Sequence, residues 1–156
     1  MNNNESSSCC NNSGNSIADI LRVILVLQQN ACPETCLDSC DRPMLGGGPN
    51  CLICNTRPVM LYTCCGNGVP WSMPTCKDFT MACGNTDSQN LTNACSSVFR
   101  VEKLDGNAAT FRVLISNTED NCCNSQPYLA TNSFFTMDLG CVCTIRCLND
   151  TFVDCV

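Results

Sequence analysis

Thiols are the reactive groups this chain carries in quantity. Eighteen of its 156 residues are cysteine and none is histidine. Three chemistries are open to such a set: disulfide bonding, metal ligation by thiolate, and nucleophilic or redox catalysis. Catalysis fares worst. Without histidine there is no Cys-His or Ser-His pair to activate a nucleophile. Cys51-Leu52-Ile53-Cys54 has redox-motif spacing, but no βαβ pattern flanks it. No phosphate loop or dinucleotide fingerprint occurs. Asp138, Asp150 and Asp154 read as solvated or turn residues rather than as an acid/base pair. The sequence therefore predicts a protein that is not an enzyme, with no catalytic or cofactor-binding residue.

Metal ligation is the alternative reading: a thiolate zinc module. Cys51 and Cys54 have zinc-knuckle spacing, with Cys32, Cys36 and Cys40 upstream, and all ligands would have to be thiolates. A zinc ribbon needs two such CxxC pairs, and one is present. The spacing of Cys32, Cys36 and Cys40 is not that of iron–sulfur motifs. No metal ligand is assigned.

Disulfide bonding accounts best for the cysteines, and geometry sorts them. Cys9-Cys10, Cys64-Cys65 and Cys122-Cys123 are adjacent in sequence. Neighbouring Cα atoms lie ~3.8 Å apart, whereas an unstrained disulfide needs about 4.4–6.8 Å. Each of these six thiols should bond elsewhere. All three pairs fall in a predicted tail, turn or loop, which suits them to joining neighbouring molecules, with intrachain bridges as the alternative. Cys141, Cys143 and Cys147 share the face of Ile145 on a predicted strand and are expected to be bridged within the chain or buried.

The compartment frames this choice. Cysteine above about 8–10 % normally marks a disulfide scaffold in a secreted chain. Residues 1–15 are polar, rich in Asn and Ser, and carry no basic flank or apolar run of export type. Synthesis in a reducing cytoplasm, with oxidation later, is the expectation. The net charge of −6 and pI near 4.3 argue against nucleic acid. Only 14 % of residues are charged, which lowers the electrostatic barrier to self-association. Ile17 to Leu27 is too short to span a membrane and contains Asp19 and Arg22.

These thiols must be held by a modest core. Cysteines aside, about a third of the chain is apolar, enough for one domain supplemented by cross-links. A disordered polar tail is predicted over 1–15, and a single cysteine-rich β domain with an N-terminal helix over 16–156. The helix covers 16–30, with Ser16 as N-cap and Asp19 as its capping-box acid. Ile17, Ile20, Leu21, Ile24 and Leu27 share one face and are the candidate assembly surface. Val23, Leu25 and Val26 make the opposite side apolar too, so one side faces the core and the other can meet a neighbouring molecule.

From there β signals dominate. Val59–Thr63 reads as a strand, 64–68 as a turn and Val69–Trp71 as its return. Residues 72–96 read as an irregular excursion. Val98 to Ile115 reads as a hairpin about Asp105-Gly106-Asn107. Its inner face is Phe99, Val101, Phe111, Val113 and Ile115, and Glu102 sits near Arg100 or Arg112 outside. Tyr128 to Leu139 gives one or two strands, and Cys141–Cys147 the last. The fold class is mainly β: a single antiparallel sandwich or barrel-like domain preceded by one helix.

The segments Asn55-Thr56-Arg57-Pro58-Val59-Met60-Leu61-Tyr62-Thr63, Val98-Phe99-Arg100-Val101-Glu102, Phe111-Arg112-Val113-Leu114, Met137-Asp138-Leu139 and Cys141-Val142-Cys143-Thr144-Ile145-Arg146-Cys147-Leu148 resemble the spore coat protein Y/Z family. The Cys32 to Cys36 region after an N-terminal helix is also similar. The resemblance spans most of residues 17–150. It implies a structural protein of the spore coat or exosporium, made in the mother-cell cytoplasm. It further implies assembly with itself into an ordered two-dimensional array, contact with other coat proteins, and hardening by disulfides once lysis removes that cytoplasm.

Overall fold

A computed structural model describes residues 16–30, 54–78, 83, 94–118 and 126–156. Helix α1 spans Ser16–Asn30 and strand β1 Val59–Thr63, followed by β2 (Met73–Pro74), β3 (Cys95–Ser96), β4 (Val98–Asp105), β5 (Ala108–Ser116), β6 (Tyr128–Asp138) and β7 (Val142–Cys147). The chain is mainly β, with one five-stranded antiparallel sheet in the order β6-β5-β4-β1-β7 and a two-stranded ribbon of β2 and β3. The large sheet does not close into a barrel: β6 and β7 form its two edges.

The β4–β5 hairpin forms where alternation and turn chemistry predict it. Gly106 at the turn takes φ 57°, a region open to glycine at little cost. Phe99, Val101, Phe111 and Val113 are fully buried on the inner face. Phe135 of β6 joins them, with ring centroids 4.8 Å from Phe99 and 5.3 Å from Phe111. The register of β5 on β6 slips between Arg112 and Leu114. The extra residues lie on β6, while β5 keeps its register with β4 from Arg112 to Leu114. Val113 and Leu114 are both buried, so both faces of β5 are covered there, and Ile115 is half-buried.

The helix closes the core. Ile17, Ala18, Leu21 and Ile24 join Val59, Leu61, Val101 and Val142 in one hydrophobic cluster. Gln28 completes this face. Its Nε2 donates to the Val101 carbonyl at 2.8 Å and its Oε1 accepts from the Arg57 amide at 3.1 Å. A buried amide with both ends satisfied costs little to bury. It fixes the end of α1 to β4 and to the segment entering β1. Asp19 accepts a hydrogen bond from Arg22 at 2.6 Å, an exposed i,i+3 pair.

Val69–Trp71 is not a strand, contrary to expectation. Asn67 and Gly68 do turn the chain with positive φ, and the Trp71 amide reaches the Leu61 carbonyl at 2.7 Å. Pairing ends there because β1 lies between β4 and β7. The return instead supplies β2, whose partner is β3.

The outer face of the hairpin is also less open than its polar residues suggested. Glu102 binds both arginines: Arg100 at 2.6 Å and Arg112 at 2.7 Å. Arg100 is only 8 % exposed, because the segment leading to β1 covers it. Its guanidinium donates to Thr56 Oγ1 and to the Asn55 carbonyl. Arg112 lies 4.5 Å above the Phe134 ring.

Candidate functional site: the cysteine-bearing edge of the sheet

Strand β7 carries the densest run of described cysteines and forms an edge. On one side it pairs with β1, Val59 opposite Cys147 and Leu61 opposite Ile145. Among the described residues no strand pairs with its other side. Four of its six residues are exposed. An edge of this kind presents a row of backbone donors and acceptors to whatever approaches.

Cys143 is bonded to Cys64 at the far end of β1, with Cα atoms 5.1 Å apart. The vicinal pair Cys64-Cys65 is therefore not bonded to itself, as Cα spacing requires. Cys65 is disulfide-bonded too. The expectation that Cys64 links neighbouring molecules needs correction, because it forms a cross-strand staple within the chain. The cause is tertiary: the β1–β7 register shifts at Tyr62 and Thr63, leaving Cys143 as the extra residue between Thr144 and Val142, beside Cys64, which follows the last paired residue of β1. A second bridge, Cys83–Cys95, closes a short loop onto β3.

Cys147 also departs from expectation: it is exposed and outside the described disulfides, as are Cys54, Cys76 and Cys155. It shares the face of Ile145, but at an edge that face opens to solvent. Cys141 is half-buried in the turn between β6 and β7. Cys9, Cys10, Cys122 and Cys123 lie outside the described residues.

The surroundings of Cys147 are held firmly. Cys54 and Cys147 line one cleft of about 520 Å³ with Tyr128 of the opposite sheet edge, Arg146 and Asp150. The sheet thus curls enough to bring β6 near β7 without a ladder. Arg57 grips Asp150 with two hydrogen bonds, at 2.6 and 2.7 Å. These bonds hold the Asp150 carboxyl below its ordinary range against the opposing effect of burial, and they raise Arg57 above its own. Asn55 exchanges two side-chain hydrogen bonds with the backbone of Val153, pinning the C-terminal segment beside Cys54. Asn55, like Gln28, is a tether that periodicity could not reveal, since its partner lies 98 residues away.

Among the described residues no three His, Cys, Asp or Glu side chains gather as a metal group. Cys54 is the one member of the proposed zinc set that is described, and it is exposed.

The candidate assembly helix divides. Ile17, Leu21 and Ile24 are buried in this chain's own core, while Ile20 and Leu27 are exposed together with Val23 and Val26. The outward apolar face is therefore Ile20, Val23 and Leu27, at i, i+3 and i+7. Ala18 and Gln28 complete the buried stripe. No described helix is long and apolar enough to cross a membrane.

A family model described as spore coat protein Z matches residues 1–150. Neither a curated protein nor a solved structure matches the chain.

Proposed function

This chain belongs to the spore coat protein Z family, and on that premise we propose that it builds its layer by packing against copies of itself into an ordered array, later hardened by disulfides. The family gives it a structural role in the spore coat. The proposal assigns it no catalysis and adds homo-oligomerisation, a two-dimensional lattice and contact with other coat proteins. The observation that carries it is the outward face of α1, where Val23 is 58 % exposed and Ile20 and Leu27 are more than 40 % exposed. Three aliphatic side chains on one ridge of a fully formed helix are costly to leave in water. With few charges in the chain, a second copy meets little repulsion.

Order of events supports division of labour between packing and cross-linking. Synthesis in a reducing compartment means contacts form before bonds do. Packing then sets the geometry and oxidation adds resistance. The test is a pair of substitutions, Val23→Asp with Leu27→Asp, read by light scattering and circular dichroism. Wild-type protein should form large particles and the variant should stay small with its β signal intact. Unchanged particle size in the folded variant would remove the helix from the interface.

A further inference from the structure

Away from the cysteine-bearing edge, the described residues form an apolar pocket of about 390 Å³ where β1 and β6 end. Trp71, Met73, Phe135 and Met137 line it, with Cys64 and Cys65 on its wall. Met73 and Phe135 pack on the hydrophobic core but are only partly buried, and Trp71 is 39 % exposed. Both wall cysteines are in disulfides, so neither can ionise there. Asp138 is the only carboxylate on the wall among the described residues. Its Oδ1 already accepts from Asn107 Nδ2 at 2.8 Å and from the Gly140 amide at 2.9 Å. Apolar surface gathered in this way is costly to leave in water.

The pocket and the outward ridge of α1 are concave and convex counterparts. Ile20, Val23 and Leu27 are branched aliphatic side chains at helical spacing, the kind of set that an apolar groove admits. No residue of α1 lines the pocket. Leu21, Ile24 and Gln28 fix α1 to its own core, so the ridge can enter only the pocket of another copy. Charge permits the match. Asp19 and Arg22 beside the ridge pair with each other at 2.6 Å, and Asp138 is engaged by two donors, so neither surface brings an unpartnered charge into the contact. Symmetry then separates this contact from ridge against ridge. A ridge-to-ridge contact is isologous and closes on one pair of chains. A ridge seated in a pocket leaves the first chain's pocket and the second chain's ridge open, so addition continues. Through a single type of contact, an extended array needs that non-closing kind.

We propose that this pocket is the seat of α1 from a second copy, with Val23 and Leu27 entering beside Trp71. The inference rests on the self-association proposed above and adds its receiving surface. Met73 and Met137 suit the role, because flexible thioether side chains adjust to an incoming aliphatic group. Each chain gives one ridge and takes one, and the contact runs head to tail.

Trp71 is the chain's single tryptophan, so its fluorescence reports the pocket alone. The experiment follows that emission and light scattering together as the full oxidised chain is concentrated. Emission should move to shorter wavelength as particles form. Val23→Asp with Leu27→Asp should lose both the particles and the shift. Trp71→Glu, which sets a charge in the pocket mouth, should stay small with its circular dichroism intact. Thr136→Glu, an exposed position on the same wall, should block assembly in the same way while retaining the tryptophan. Mixed in equal amounts, the ridge variant and Trp71→Glu should pair one to one and stop, because one keeps its pocket and the other its ridge. The mass should double, and the ridge variant's Trp71 emission should shift. Wild-type particles formed with unchanged emission, full assembly of both folded pocket variants, or a mixture that stays monomeric would overturn the pocket's role and leave self-association standing. Short-wavelength emission already present in dilute wild type would show the pocket filled from within its own chain and would overturn it too. Absence of particles from wild type would overturn self-association and this inference together.

Discussion

Removing the Cys64–Cys143 staple should cost the isolated chain more than removing Cys83–Cys95, and loop length gives the margin. The first bridge spans a sequence separation of 79 and the second of 12. In the chain-entropy account, cross-linking limits the unfolded ensemble, with a benefit that grows as the logarithm of the loop. That gives about 4.5 kcal/mol for the long loop and about 2.9 for the short one at 25 °C. The difference, about 1.6 kcal/mol, corresponds to roughly 3–6 °C in Tm at this chain length. The measurement replaces both cysteines of each bridge by Ser and compares denaturant unfolding of dilute protein. Cys64→Ser with Cys143→Ser should be the less stable variant by about that margin. Equal losses, or a larger loss from Cys83→Ser with Cys95→Ser, would refute the entropic reasoning and place the stabilisation in local contacts.

Two further outcomes follow from the polar network. Glu102→Gln removes the carboxylate shared by Arg100 and Arg112, leaving the nearly buried Arg100 guanidinium without its counter-charge; stability should fall by about 3 kcal/mol, and a loss below about 1 in urea unfolding would contradict the geometry. The Asp150 carboxyl is held below its ordinary 3.8 by Arg57, so its contribution is present above pH 3.8 and lost as pH falls through the lower folded-state value; Asp150→Asn should flatten stability against pH in that acid window by no more than about 1 kcal/mol, because the pair is partly exposed, and a flattening near neutral pH would point to another group.

Local patterns carried much of this fold into the sequence. The helix, β1 and the β4–β5 hairpin follow from apolar periodicity and turn residues, which act over a few positions. What escaped depends on partners far along the chain. The polar face of β4 reads as solvated by alternation, yet Arg100 is buried because residues 55 and 56 fold over it. Val69–Trp71 has strand composition, but β1 already lies between strands drawn from residues 98–105 and 142–147. The helix appeared apolar all round. Which side faced inward turned on Gln28, a polar residue accepted into the core by Val101 and Arg57. The cysteines show the same limit. Adjacency correctly excluded a Cys64–Cys65 bond, while the partnership with Cys143, 79 positions on, belongs to the β1–β7 ladder.

The most direct test of packing-led assembly is electron microscopy of the protein concentrated with and without reductant. Ordered particles of the same repeat should form in both, and those kept reduced should disperse at lower denaturant concentration. Folded protein that forms no ordered particles under reductant, yet forms them once oxidised, would contradict the account by showing that disulfides set the geometry.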